Sequence, residues 1–173
     1  MQVLSRQRGF SLIEVLVAVV IFSLGVLGIA LMQLKGAQFT KQSGSRTAAV
    51  VQTRSLADAM RANPAGVYGV ASQSLIAAQN GLLTGSYYLY DGKTTPDPTS
   101  CGNPACKQAK NDLLLWLAQL KASTVAGTGA VPAGQITVNA NTGALTIVSS
   151  WNGLIQNTNG ATTNDQYQFD YQP

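Results

Sequence analysis

At 173 residues the chain has the length of one modest domain with an appendage. Its 11 basic and 7 acidic residues give a net charge of +4, too weak a bias to argue nucleic-acid binding. The absence of histidine excludes His-based triads and His metal ligands, and a charged fraction of only 10% suits the surface of a secreted domain.

The chain opens on a short polar segment, residues 1–9, in which Arg6 and Arg8 favour a cytoplasmic start by the positive-inside rule. A long apolar stretch follows. Residues 10–34 make 25 positions, enough at 1.5 Å per residue to cross a hydrocarbon core of about 30 Å with some tilt. Its anomaly is Glu14, the only charge in it; Lys35 stands just after. A carboxylate inside such a segment costs at least about 2.5 kcal/mol, so it points to a functional site with a cationic partner. Cutting between Gly9 and Phe10 would supply one, because Phe10 would then carry a new α-amino group at the head of the helix. An ordinary secretory signal fits less well: its apolar core is shorter, although Gly28-Ile29-Ala30 has the small-x-small form of a cleavage site. A plain signal anchor with an incidental Glu is the other simple reading.

The run Gly9-Phe10-Ser11-Leu12-Ile13-Glu14 at the head of an apolar helix resembles the class III signal of type IV prepilins and of the pseudopilins of type II secretion. The resemblance implies removal of residues 1–9 by a membrane prepilin peptidase, which also methylates the new amine on Phe10. It further implies that Glu14 pairs with the terminal amine of a neighbouring subunit during fibre assembly. Without Arg6 and Arg8 the 11 basic residues become 9, against 7 acidic.

Gly25 and Gly28 interrupt the apolar helix, each at up to about 1 kcal/mol relative to Ala. They allow two readings: close helix packing in the membrane, or a weak point that stretches when the helix enters a filament. Helix-forming residues continue to Asn63-Pro64, where Pro stops the helix. Residues 10–63 therefore predict one helix of 54 residues, roughly 80 Å long. Its second half sets Ala49, Leu56 and Met60 on one face for a sheet to cover, with Arg46, Arg54 and Arg61 on a solvated one. The stretch from Arg54 to Gly66, containing Met-Arg-Ala-Asn-Pro-Ala-Gly, is similar to the end of the long helix in the PilV group of minor pilins. The segment from Cys106 through Asp112 to Trp116 is similar to that group as well.

Residues 64–173 are expected to form a globular head. A short helix capped by Ser72 is predicted over residues 72–79, and a sheet-edge strand over residues 82–90 with Tyr87, Tyr88 and Tyr90. Residues 91–104 read as a loop. Cys101 and Cys106 flank Gly-Asn-Pro-Ala, and in an exported chain this spacing favours a disulfide over a redox motif or a metal site. From Pro104 to Lys121 the apolar positions Cys106, Ala109, Leu113, Trp116, Leu117 and Leu120 recur at helical spacing, with Trp116 as a core anchor. After a Gly/Ala/Thr linker over residues 123–134 the period changes to two. Ile136, Val138 and Ala140, the turn Asn141-Thr142-Gly143, and Leu145, Ile147 and Trp151 predict a β-hairpin. Residues 157–165 read as a polar loop, and Tyr167, Phe169 and Tyr171 as a closing strand.

The fold class expected is α+β and type IV pilin-like: a long N-terminal helix packed on a small antiparallel sheet, with additional short helices. The sequence shows no catalytic, cofactor-binding or metal-ligating constellation, so the expectation is a structural subunit and not an enzyme. The resemblance implies a minor pilin whose partners are other pilin subunits, the prepilin peptidase/N-methyltransferase and the inner membrane, with the head in the periplasm before assembly into a surface pilus. Two other readings stand beside it: a type II secretion pseudopilin, and a DNA-uptake or adhesin head with Tyr87, Tyr88 and Tyr90 as stacking residues.

Overall fold

The computed structural model describes residues 9–79, 83–124, 133–156 and 162–173. Helix α1 spans Leu12–Ala62, followed by a one-turn-and-a-half helix α2, Pro64–Tyr68, and by α3, Pro104–Ser123. The strands are β1, Ala133–Val138, β2, Leu145–Gln156, and β3, Thr162–Tyr171. They form one antiparallel sheet in the order β1-β2-β3. The result is the α+β arrangement expected, with α1 packed on a three-stranded sheet beside shorter helices.

The chain divides into two units, residues 1–40 and residues 41–173. In the second unit α1 buries Ser45, Ala49, Thr53, Leu56, Ala57 and Met60. Four of these stand four residues apart and are small, which lets the facing layer approach the helix backbone closely. Leu113, Trp116 and Leu120 from α3 and Ile136, Leu145, Ile147, Trp151 and Tyr171 from the sheet complete the core. A polar contact between α1 and the sheet lies inside it: the hydroxyls of Thr53 and Ser149 meet at 2.7 Å, both residues fully buried. Each hydroxyl satisfies the other, which removes the penalty of burying either alone. Arg46, Arg54 and Arg61 are all exposed, a solvated row as expected.

Two Asn-Pro pairs start the two head helices. The Asn63 side-chain carbonyl accepts from Gly66 N at the start of α2, and Asn103 does the same for Cys106 N at the start of α3. In each case Pro takes the first helical position, where its missing N–H is no loss. The amide nitrogens then reach further. Asn63 Nδ2 donates to Ala105 O and to the Tyr88 hydroxyl, and Asn103 Nδ2 donates to the Tyr87 hydroxyl.

These contacts explain the main departure from expectation, since no strand forms at the three tyrosines. Ser86 N donates to Leu83 O and Leu89 N to Ser86 O, so the segment turns, and Tyr87 N is taken by Gly66 O. A flat edge strand would leave Tyr88 half in water. The turn instead carries its ring to 0% exposure, with its hydroxyl donating to Asp112 at 2.6 Å. Only Tyr90 makes a ladder-like contact, an isolated bridge to Ile136. Gly69, at φ +70°, packs against the Gly85 carbonyl so closely that no side chain fits there.

Smaller corrections follow the same logic. The short helix predicted after Ser72 is a 3-10 helix, Gln73–Gln79. The hairpin forms as expected, with Val138 opposite Leu145 and Ile136 opposite Ile147. Ala140 lies in the turn and is exposed, because Asn139 N donates to Ala144 O and closes the loop one residue earlier. β3 starts at Thr162 where a polar loop was expected to reach residue 165; polar alternation reads as a loop when the partner strand is unknown. Residues 157–161 of that loop and residues 125–132 of the linker lie outside the described residues.

Candidate assembly site on the N-terminal helix

Ser11 immediately precedes α1, its carbonyl accepting from Glu14 N at 3.0 Å and Val15 N at 3.4 Å. Glu14 thus sits in the first turn, where the positive end of the helix dipole favours a carboxylate. Phe10, Glu14, Ala18 and Phe22 follow one another four residues apart and, with Val15 and Val19, line a shallow groove on one side of the helix. Gly9 precedes it, and a side chain there would meet nothing within 4 Å.

Every residue from Gly9 to Lys41 is exposed. Phe10 and Phe22 present 83% and 72% of their surface to the surroundings, with the leucines, valines and isoleucines between them open to similar degrees. A helix apolar all round is at equilibrium only in lipid or among other helices. This one has the length and composition to cross a membrane. The helix runs unbroken through Gly25 and Gly28. Ser23 Oγ donates to Val20 O at 2.8 Å and Thr40 Oγ1 to Gly36 O at 3.0 Å, so these hydroxyls need no water.

What this surface can do chemically is limited and specific. It offers one carboxylate in an otherwise apolar ridge, so a cation brought to it in a dry setting would be held strongly and in one register. Among the described residues no basic side chain forms an ion pair with Glu14.

The other residues singled out by sequence lie in the head. Cys101 and Cys106 are joined in a disulfide with a Cα–Cα distance of 5.6 Å, closing the loop before α3. Tyr88 is inside the core and unable to stack on a base, and Tyr87 is half-buried with its hydroxyl held by Asn103. Burial, and then the hydrogen bond to Asp112, push the Tyr88 phenol far above its ordinary value. Among the described residues no group of acidic or cysteine side chains is arranged to hold a metal ion. Sequence reasoning missed the Thr53–Ser149 pair, and Gln42, which donates to Asp165 Oδ2 at 2.7 Å. It also missed the second role of Asn63 and Asn103; the repeated Asn-Pro pair was the available signal.

Residues 4–30 match the family described as the prokaryotic N-terminal methylation motif. Among curated proteins and among solved structures, none matches the chain. The matched segment contains Gly9, Phe10 and Glu14 and runs into the exposed apolar helix. A methylation motif of this kind, on a helix built to lie in lipid or against like helices, supports a type IV pilin-like or pseudopilin protein.

Proposed function

We propose that the chain is a minor pilin of a type IV pilus. Prepilin peptidase removes residues 1–9, cutting between Gly9 and Phe10, and Phe10 is methylated on its new amine. Residues 10–34 hold the subunit in the inner membrane with the head in the periplasm. Assembly moves that surface from lipid to the helices of other subunits, and Glu14 sets the register by pairing with a neighbour's terminal amine. Such a subunit would contribute to pilus initiation, adhesion and twitching motility, in the manner of the PilV group it resembles.

The observation that carries this reading is the methylation motif lying on a helical half with no buried residue. Mass analysis of the purified native protein tests the first step: a methylated Phe10 is expected, and a chain still starting at Met1, or starting near Leu31, removes the reading. The second step is tested by complementing a deletion strain with Glu14→Ala. Surface pili are expected to be lost while the protein remains stable and processed, and normal piliation would remove the assembly role of Glu14.

The pseudopilin reading shares the signal, the helix and the chemistry of Glu14. It is separated by phenotype, since a pseudopilin deletion blocks secretion of type II substrates and leaves twitching intact. The burial of Tyr88 counts against a stacking surface for DNA on the three tyrosines.

A further inference from the structure

The head carries an open cleft of about 670 Å³ between the segment leading up to Ser100, Lys110 of α3 and β1. It lies far along the chain from the assembly helix and its chemistry does not depend on which fibre, if any, the chain enters. Tyr90 N donates to Ile136 O and Ile136 N to Tyr90 O, so the middle of this sheet edge is already paired. An incoming peptide strand therefore finds no continuous ladder, and what the cleft presents is side chains.

Thr84, Thr95, Gln135, Thr137 and Lys110 line it, and among the described residues none of their side chains makes a hydrogen bond or ion pair. Two carboxylates share the rim. Asp91 is held by Lys93 N, Thr94 N and the Thr94 hydroxyl, and Asp97 Oδ1 by Thr99 N and its hydroxyl. Both are fixed in place before any ligand arrives. The Lys110 ammonium is half-buried, and desolvation holds its pKa below the ordinary value.

This mixture selects a ligand class. A free anion would meet two carboxylates for one ammonium, and a cation would meet Lys110. Hydroxyls and a carboxamide both donate and accept, so they suit a partner made of groups that do the same. Leu89, Tyr90 and Pro96 add apolar surface for C–H faces. We propose that the cleft formed by Thr84, Thr95, Asp97, Lys110, Gln135 and Thr137 binds a neutral saccharide.

The test uses the full chain in a zwitterionic, sugar-free detergent, titrated with maltotetraose and with chitotetraose and read by saturation-transfer NMR. Saturable binding of at least one is expected. Lys110→Met and, separately, Thr137→Val should each weaken it about tenfold without lowering the thermal midpoint of the head. Gln135→Leu, at an exposed strand position, serves if either variant misfolds. No saturable signal with either sugar overturns the proposal, as does binding unchanged in all three variants. A sulfated heparin tetrasaccharide bound in preference, with affinity lost in salt, also overturns it, because Lys110 would then be attracting anions without a built site.

Discussion

The two halves of α1 share one backbone and one unbroken ladder of hydrogen bonds, yet they answer to different surroundings. Up to Lys41 no side chain is buried; beyond it Ser45, Ala49, Thr53, Leu56, Ala57 and Met60 all are. Within the first half the stretch up to Leu34 is apolar on every side and has one charge, Glu14, to place. The second is apolar on one stripe, and much of that stripe is small. The contrast shows how the purpose of a helix is written in the distribution of its apolar residues, since their number is high in both halves. A stripe fits a sheet of the same chain, whereas a full cylinder waits for a solvent or a partner that the chain does not contain.

The comparison breaks if removing apolar volume has the same effect in both halves. Leu113→Ala, in the core that covers the second half, should lower head stability by about 3 kcal/mol. Leu27→Ala, in the first half, should leave thermal unfolding of the head unchanged. Equal effects would mean that the exposed half is packed after all. Reduction of Cys101–Cys106 should lower head stability by about 2 kcal/mol, the value for so short a closed loop, and should leave Phe10 processing untouched. The Thr53–Ser149 pair sharpens the point further. Thr53→Val alone strands the Ser149 hydroxyl and should cost on the order of 1 kcal/mol. Adding Ser149→Ala should restore most of it, which a double-mutant cycle in denaturant would measure.

The smallest effect expected is on pH dependence, and it belongs to the head alone. Tyr88, Tyr90 and Tyr171 are each raised above 10.0, chiefly by burial. A phenol harder to ionise in the folded state contributes stability that is complete below pH 10 and falls away above it. Absorbance of tyrosinate on raising pH should show late-titrating groups that become ordinary after denaturation. At the acid end, Asp91 and Asp97 are held below 3.8 by hydrogen bonds within their own loop. Their support is present above that value and is lost as pH falls below it, so the loop should loosen first in acid.

Much of this was legible in the residues. Glu14 announces itself because a carboxylate in an apolar run has no local explanation, and the period of three to four from Cys106 to Leu120 reproduces the buried face of α3. The hairpin was readable too, since Ile136, Leu145 and Ile147 alternate and all three are buried. The segment around Tyr88 was not. Its aromatic content favours a strand, and what overrides that preference is a set of partners far away in sequence, Asp112 and Asn63, which no local pattern reveals. The cleft beside β1 was hidden for the same reason, being made from three separate stretches of chain.

The two Asn-Pro pairs have a chemical consequence beyond capping. Asparagine ages when the backbone nitrogen of the next residue attacks its side-chain amide and closes a succinimide. A proline nitrogen has no proton to give up, so Asn63 and Asn103 are shielded from that reaction by their own neighbours. Asn152, followed by Gly153, has no such shield. The two amides that tie the head together are thus the ones placed to resist slow deamidation.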